Sequence, residues 1–139
     1  MGILENKDSI YREPRITTSI LANIPECLYS VLQENLLRLQ KKGASILVSS
    51  NSLANRFILD RWGIRSSQRR RYKNLFSTIR KQCRAIFRNY LARGKLKWRT
   101  HDEELVFRVY KFDEVRGNLI LGFVPSRGYL DWSLVSEDL

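Results

Sequence analysis

The amino-acid sequence predicts an α+β domain in which three helices precede a β-hairpin or a three-stranded β-meander. Three observations lead there. Apolar residues recur at spacings of three and four in stretches that end near residue 92, and beyond Gly94 they alternate with polar residues in short runs. The breaks between these stretches hold the Ser, Gly, Asn and Asp residues that cap helices and make turns. At 139 residues and 43% hydrophobic, the chain has material for one core, and two half-sized domains would each be marginal.

Residues 1–14, MGILENKDSIYREP, mix charges with small polar residues and end at Pro14, which predicts a flexible arm before a domain spanning 15–124. From residue 15 to 24, Ile16, Thr18, Ile20, Ala22 and Ile24 alternate with Arg15, Thr17, Ser19, Leu21 and Asn23, a pattern that permits a short strand or a direct lead into a helix. Pro25 and Glu26 suit a helix start, Leu28, Val31, Leu32, Leu36 and Leu39 form its apolar stripe, and Lys41, Lys42 and Gly43 close it, predicting helix over 25–42. Ala44–Val48 then reads as a very short strand, followed by capping residues Ser49, Ser50, Asn51 and Ser52. Leu53, Ala54, Phe57, Ile58 and Trp62 make the second helix, which Gly63 stops.

The third helix is predicted from about Ser67 to Ala92 on Tyr72, Leu75, Phe76, Ile79, Cys83, Ile86, Phe87, Tyr90 and Leu91. A break near Tyr72 or Ser77 would divide it into a short contacting part and a longer packing part. After Arg93-Gly94, Leu96 and Trp98 alternate with Lys95, Lys97 and Arg99 in a strand, and Thr100–Glu103 turns the chain. Leu105–Phe112 returns as a strand, Gly117-Asn118 makes the next turn, and Leu119–Val124 is a third strand ending at Pro125. Residues 125–139 form an acidic C-terminal tail whose Tyr129, Leu130, Trp132 and Leu134 dock on the core or face a second subunit.

Charge is distributed far less evenly than hydropathy. Residues 61–100 hold 14 Lys/Arg and no Asp or Glu, against 7 and 6 in residues 1–60 and 4 and 8 in residues 101–139, so this segment holds all the excess of the net +11. On the third helix Arg70, Lys73, Arg80, Lys81, Arg84 and Arg88 occupy a stripe beside the apolar one, with Ser77 among them. Like charges three or four apart cost a few tenths of a kcal/mol each, and no acid in the segment relieves them. An external polyanion is therefore expected to compensate them: nucleic acid first, with an anionic membrane surface or an acidic protein as the alternatives.

Other function classes find little support. There is no Gly-rich phosphate loop, nucleophile motif or paired His, so no catalytic residue, metal ligand or cofactor is expected. Cys27 and Cys83 are isolated and read as small buried hydrophobes. The single histidine, His101, sits beside Asp102, Glu103 and Glu104 without a distant partner at metal-ligand spacing. No apolar run is long enough to span a bilayer, and the N-terminus lacks the basic and apolar parts of a secretory signal. Asn6 breaks a myristoylation motif. The expected location is cytoplasmic and nucleoid-associated, or nuclear in a eukaryote.

The segments SSNSLANRFILDRWGI, SSQRRRYKNLFSTIRKQC and YLARGKLKWRT followed by EELVFRVYKF resemble the second helix, third helix and wing of a winged helix-turn-helix domain. The likeness covers roughly residues 25–112 and is one of element order. It implies that the third helix enters the DNA major groove by its N-terminal residues and that the wing follows the phosphates. Carried over by position, Arg65, Ser66, Ser67, Gln68, Arg69, Arg70, Arg71 and Lys73 would lie at the DNA, with Lys95, Lys97 and Arg99 on the wing. Arg80, Lys81 and Arg84 extend this surface along the helix. RITTSILANIPECLYSVLQENL is also similar to the strand and first helix of ribbon-helix-helix repressors, which would place Arg15, Thr17 and Ser19 against bases.

Both resemblances imply a small sequence-specific protein that binds double-stranded DNA, most simply a homodimeric transcriptional repressor. Arginine forks suit phosphates and the guanine edge, and Gln68 and Asn74 suit adenine. The alternative is a nucleic-acid-binding subunit of a replication, recombination or RNA-handling complex, which solvent-facing Tyr72, Trp98 or Tyr110 would favour. A metal-dependent nuclease using Asp102, Glu103 or Glu104 near Lys97 is the remaining class.

Overall fold

Thr17 starts the first helical turn: its Oγ1 accepts a hydrogen bond from Ile20 N at 3.2 Å, so residues 15–24 form helix α1 (Thr18–Leu21) and not the short strand their alternation permits. The structure, a computed structural model, describes residues 12–35, 45–99 and 104–124. Helix α2 (Ile24–Glu34) begins with Pro25 and Glu26 in its first turn and buries Ile24, Leu28, Tyr29 and Leu32. Residues 36–42 of the predicted helix lie outside the described residues.

Strand β1 (Ile46–Ser49) runs directly into helix α3 (Ser50–Trp62) because Ser49 Oγ accepts from Ser52 N at 3.2 Å and caps the new helix. The long third helix does break where the pattern allowed. Ser66–Gln68 form a single 3₁₀ turn, locked by Gln68 Oε1 accepting from Arg65 N at 3.0 Å, and helix α4 (Lys73–Arg93) starts only after Tyr72. Tyr72 leaves helical geometry (φ −126°, ψ 48°) as its ring becomes buried, and burial of that aromatic outweighs continuation of the helix. The start of α4 is served from far away: Glu13 Oε1 accepts from Leu75 N at 2.6 Å, placing a carboxylate at the positive end of the helix.

Strands β2 (Lys95–Arg99), β3 (Glu104–Asp113) and β4 (Asn118–Val124) form the predicted meander, but β1 joins them to give a four-stranded antiparallel sheet of order β1-β4-β3-β2. A bulge at Tyr110 shifts the β3–β4 register between Val109 and Lys111. On the inner face Ile46, Val48, Leu96, Leu105, Phe107, Val109, Phe112, Leu119 and Leu121 are buried under the helices. The α4 stripe Leu75, Phe76, Ile79, Cys83 and Phe87 completes that core, with Phe87 edge-on to Phe112 at 6.0 Å. Trp98 stacks on Tyr29 at 4.3 Å, tying β2 to α2.

The β3–β4 turn is held from three sides. Gly117 has φ +74°, its carbonyl accepts from Ser50 N at 2.9 Å, and the guanidinium of Arg84 lies against the space a Cβ would take. Gly94, which ends α4 with φ +74°, has nothing within 4 Å of that space. Gly94→Ala is accordingly expected to cost about 1–2 kcal/mol, the left-handed penalty alone. Gly117→Ala should cost about 2–5 kcal/mol, because the methyl also displaces Ser50 and Arg84. Urea unfolding of the two variants checks the difference.

Candidate nucleic-acid interface

The fold divides the predicted site residues among three surfaces. The largest group lines a groove of about 490 Å³ beside α4. Arg69 and Arg70 reach it from the turn after the 3₁₀ segment, Lys73, Ser77, Arg80, Lys81 and Arg84 from one stripe of α4, and Asn51 from the first turn of α3. Six cations thus meet with no acid among the described lining residues. Asn51 was noted in the sequence only as part of a capping run, because nothing local indicates that the first turn of α3 faces α4.

Within the groove the arginines differ. Arg84 is braced: its Nη1 donates to the Glu114 carbonyl at 2.8 Å. Arg80 lies 5.8 Å from the centre of the Phe76 ring, and its buried Nε has no hydrogen-bond partner among the described residues. A guanidinium N–H removed from water without an acceptor is costly. Arg69, Arg70, Lys73 and Lys81 have no ion pair among the described residues.

The remaining predicted residues lie elsewhere. Arg65 and Ser66 line a depression with Arg56 and Asp60 on the other side of α3. Ser67 and Arg71 are exposed, while Gln68 spends its side-chain oxygen on Arg65 N. Lys95 and Lys97 border a second concavity of about 280 Å³ with Tyr90, Arg93 and Trp98. Arg99 pairs with Glu104 at 2.7 Å. Of the aromatics, Tyr72 is buried, Trp98 is half-buried on Tyr29, and Tyr110 is 44% exposed.

The expectation that only an external anion relieves the basic segment needs correction. Glu114 in the β3–β4 turn grips Arg88 with two oxygens at 2.7 and 3.0 Å, and Glu104 holds Arg99. Each arginine holds its carboxylate below the usual Glu range through the hydrogen bond, and two backbone N–H groups at Arg116 and Val115 do the same for Asp113.

Neither cysteine is held as a thiolate. Burial pushes the Cys27 thiol up to about 11 and the Cys83 thiol to about 12, keeping both neutral. Cys83 is buried as expected, while Cys27 is only half-buried. No three His, Cys, Asp or Glu groups converge among the described residues, and His101, Asp102 and Glu103 lie outside them. No described helix is long and apolar enough to cross a membrane.

The chain matches no protein-family model, no curated protein and no solved structure.

A depressed carboxylate binds fewer protons folded than unfolded, so the stability it contributes is present at neutral pH and lost as pH falls through its folded value. Carboxyl carbon NMR titration should therefore place Glu104, Asp113 and Glu114 below ordinary exposed carboxylates. Arg88→Ala should return Glu114 toward the ordinary value and leave Glu104 unchanged.

Proposed function

We propose that the protein binds double-stranded DNA in a sequence-specific manner as a small winged-helix repressor, acting as a homodimer. The observation that carries this reading is the groove of six cations, Arg80 among them, with no acid among its described lining residues. The order α2, β1, α3, α4 and a β2–β3 hairpin supports it, with β4 inserted between β3 and β1; the duplex is held by α4 and the turn before it, not by Lys95 and Lys97, which stand on the outer face of the sheet.

In this mode α4 presents its start to the major groove. Arg69 and Arg70, on the turn ahead of the helix, and Lys73 and Asn74 in its first turn are the side chains nearest the bases. Arg80, Lys81 and Arg84 follow on the phosphates, where they set register without reading sequence. Gln68 is withdrawn from adenine recognition by its bond to Arg65 N. Dimeric binding would place two half-sites roughly 34–36 Å apart, or a multiple of that spacing.

Neutralising three phosphates with Arg80, Lys81 and Arg84 gives a log–log salt slope of about −3. Fluorescence anisotropy on the duplex upstream of the protein's own gene is expected to show a preference of about a thousandfold over scrambled duplex. The triple variant Arg69→Ala, Arg70→Ala, Lys73→Ala should abolish that preference while leaving the slope near about −3, because the phosphate contacts of Arg80, Lys81 and Arg84 remain. Equal affinity for every duplex, unchanged by the triple variant, would remove the proposal.

A further inference from the structure

The outer face of the sheet, turned away from the helices, carries a second concentration of charge that the duplex-binding groove does not use. Leu96 and Trp98 of β2 point inward, so Lys95, Lys97 and Arg99 stand on the outer face. Register places Lys95 directly opposite Arg108 and Lys97 opposite Val106. Two cations facing each other across a strand pair repel: the Glu104 carboxylate attracts Lys95 and Lys97 at a distance but is hydrogen-bonded to Arg99, and Lys95, Lys97, Arg108 and Lys111 have no ion pair among the described residues.

The other half of the same face is apolar. Leu47 of β1 is 55% exposed and lies opposite Ile120 of β4, which lies in turn opposite Lys111. Val124 pairs with Val106, and Gly122, opposite Arg108, leaves the floor between Ile120 and Val124 without a side chain. Tyr110, the extra residue of the β3 bulge, is 44% exposed beside Lys111. Rows across the sheet therefore run from apolar at β1 and β4 to cationic at β3 and β2.

We infer that this face is a binding surface for single-stranded nucleic acid, separate from the groove. A single strand offers unpaired base faces to Leu47, Ile120, Val106 and Tyr110 while its phosphates meet Lys95, Lys97, Arg108 and Lys111. A duplex keeps its base faces stacked and paired, so a sheet laid on it meets chiefly sugar and phosphate and its apolar half would face charge. An anionic bilayer is a poor fit as well, because Ile120, Val106 and Val124 are half-buried in a sheet and cannot enter the headgroup layer to the roughly 5–10 Å that interfacial anchors reach. The inference does not rest on the duplex reading, since the groove lies among the helices and this face on the opposite side of the sheet.

The test is anisotropy of the full chain with 15-nucleotide oligo(dT), oligo(rU) and a duplex, comparing wild type with two sets of variants. Lys95→Ala, Lys97→Ala, Arg108→Ala should weaken oligonucleotide binding at least tenfold and leave duplex binding within twofold, with unfolding by urea unchanged. Arg69→Ala, Arg70→Ala, Lys73→Ala should do the reverse. Tyr110→Ala should lose roughly fivefold to a hundredfold on the single strand, whereas Tyr110→Phe keeps it. The two oligonucleotides distinguish DNA from RNA as the source of the strand. Oligonucleotide binding indifferent to the sheet variants would overturn the inference, as would equal losses on strand and duplex. So would sheet variants that dissociate a dimer in sedimentation, or release anionic vesicles, while leaving oligonucleotide binding intact.

Discussion

Burial of one face of α4 is the constraint on which the rest of the molecule depends. Leu75, Phe76, Ile79, Cys83 and Phe87 are each at most 2% exposed, and side chains of this kind contribute about 1.5–3 kcal/mol apiece on leaving water. The like-charge repulsion along the same helix amounts to a few tenths of a kcal/mol per neighbouring pair. Burial wins by a wide margin. The helix therefore forms and docks despite its charge, and its cations take whatever direction the apolar stripe leaves them.

What the fold then does with those cations depends on where each meets another element. Toward the C-terminal half of α4 the β3–β4 turn comes close, and Glu114 engages Arg88 through its carboxylate and Arg84 through its carbonyl. That closeness depends on Gly117, which admits the Arg84 guanidinium where a side chain would stand. Toward the N-terminal half the one carboxylate seen to approach, Glu13, accepts from Leu75 N, and Arg69, Arg70, Lys73 and Lys81 around Arg80 have no ion pair among the described residues. The C-terminal half of the helix is thus compensated by the β3–β4 turn, and the cations of the N-terminal half have no ion pair among the described residues.

Helices and strands with strong periodicity were legible in the sequence. The stripe from Leu75 to Leu91, the caps at Ser49 and Gly63, and the alternation in β2, β3 and β4 all correspond to observed elements. Where the pattern was short it left a choice: the ten residues around Thr17, open to a short strand or a lead into a helix, form a helical turn in which the Thr17 hydroxyl accepts from Ile20 N. The site was legible only in part. Arg69, Arg70, Lys73, Arg80, Lys81 and Arg84 converge, but Lys95 and Lys97, adjacent to the helix in sequence, stand on the outside of the sheet. Asn51, Arg108 and Glu114 carried no local signal of their roles.

By itself the sequence determined that an α+β domain forms, that the stripe from Leu75 to Phe87 and alternate residues of the strands face inward, and that its positive charge gathers between residues 61 and 100; Leu91, expected in the same stripe, is 39% exposed. Those properties follow from periods of 3.6 and 2 and from composition, all of which are local. Only the tertiary structure decided which cations share a surface and which are neutralised. Glu114 lies 26 residues beyond Arg88, and β1 pairs with a strand some 70 residues later. Such neighbours are chosen by how whole faces pack together, and no window along the chain contains that information.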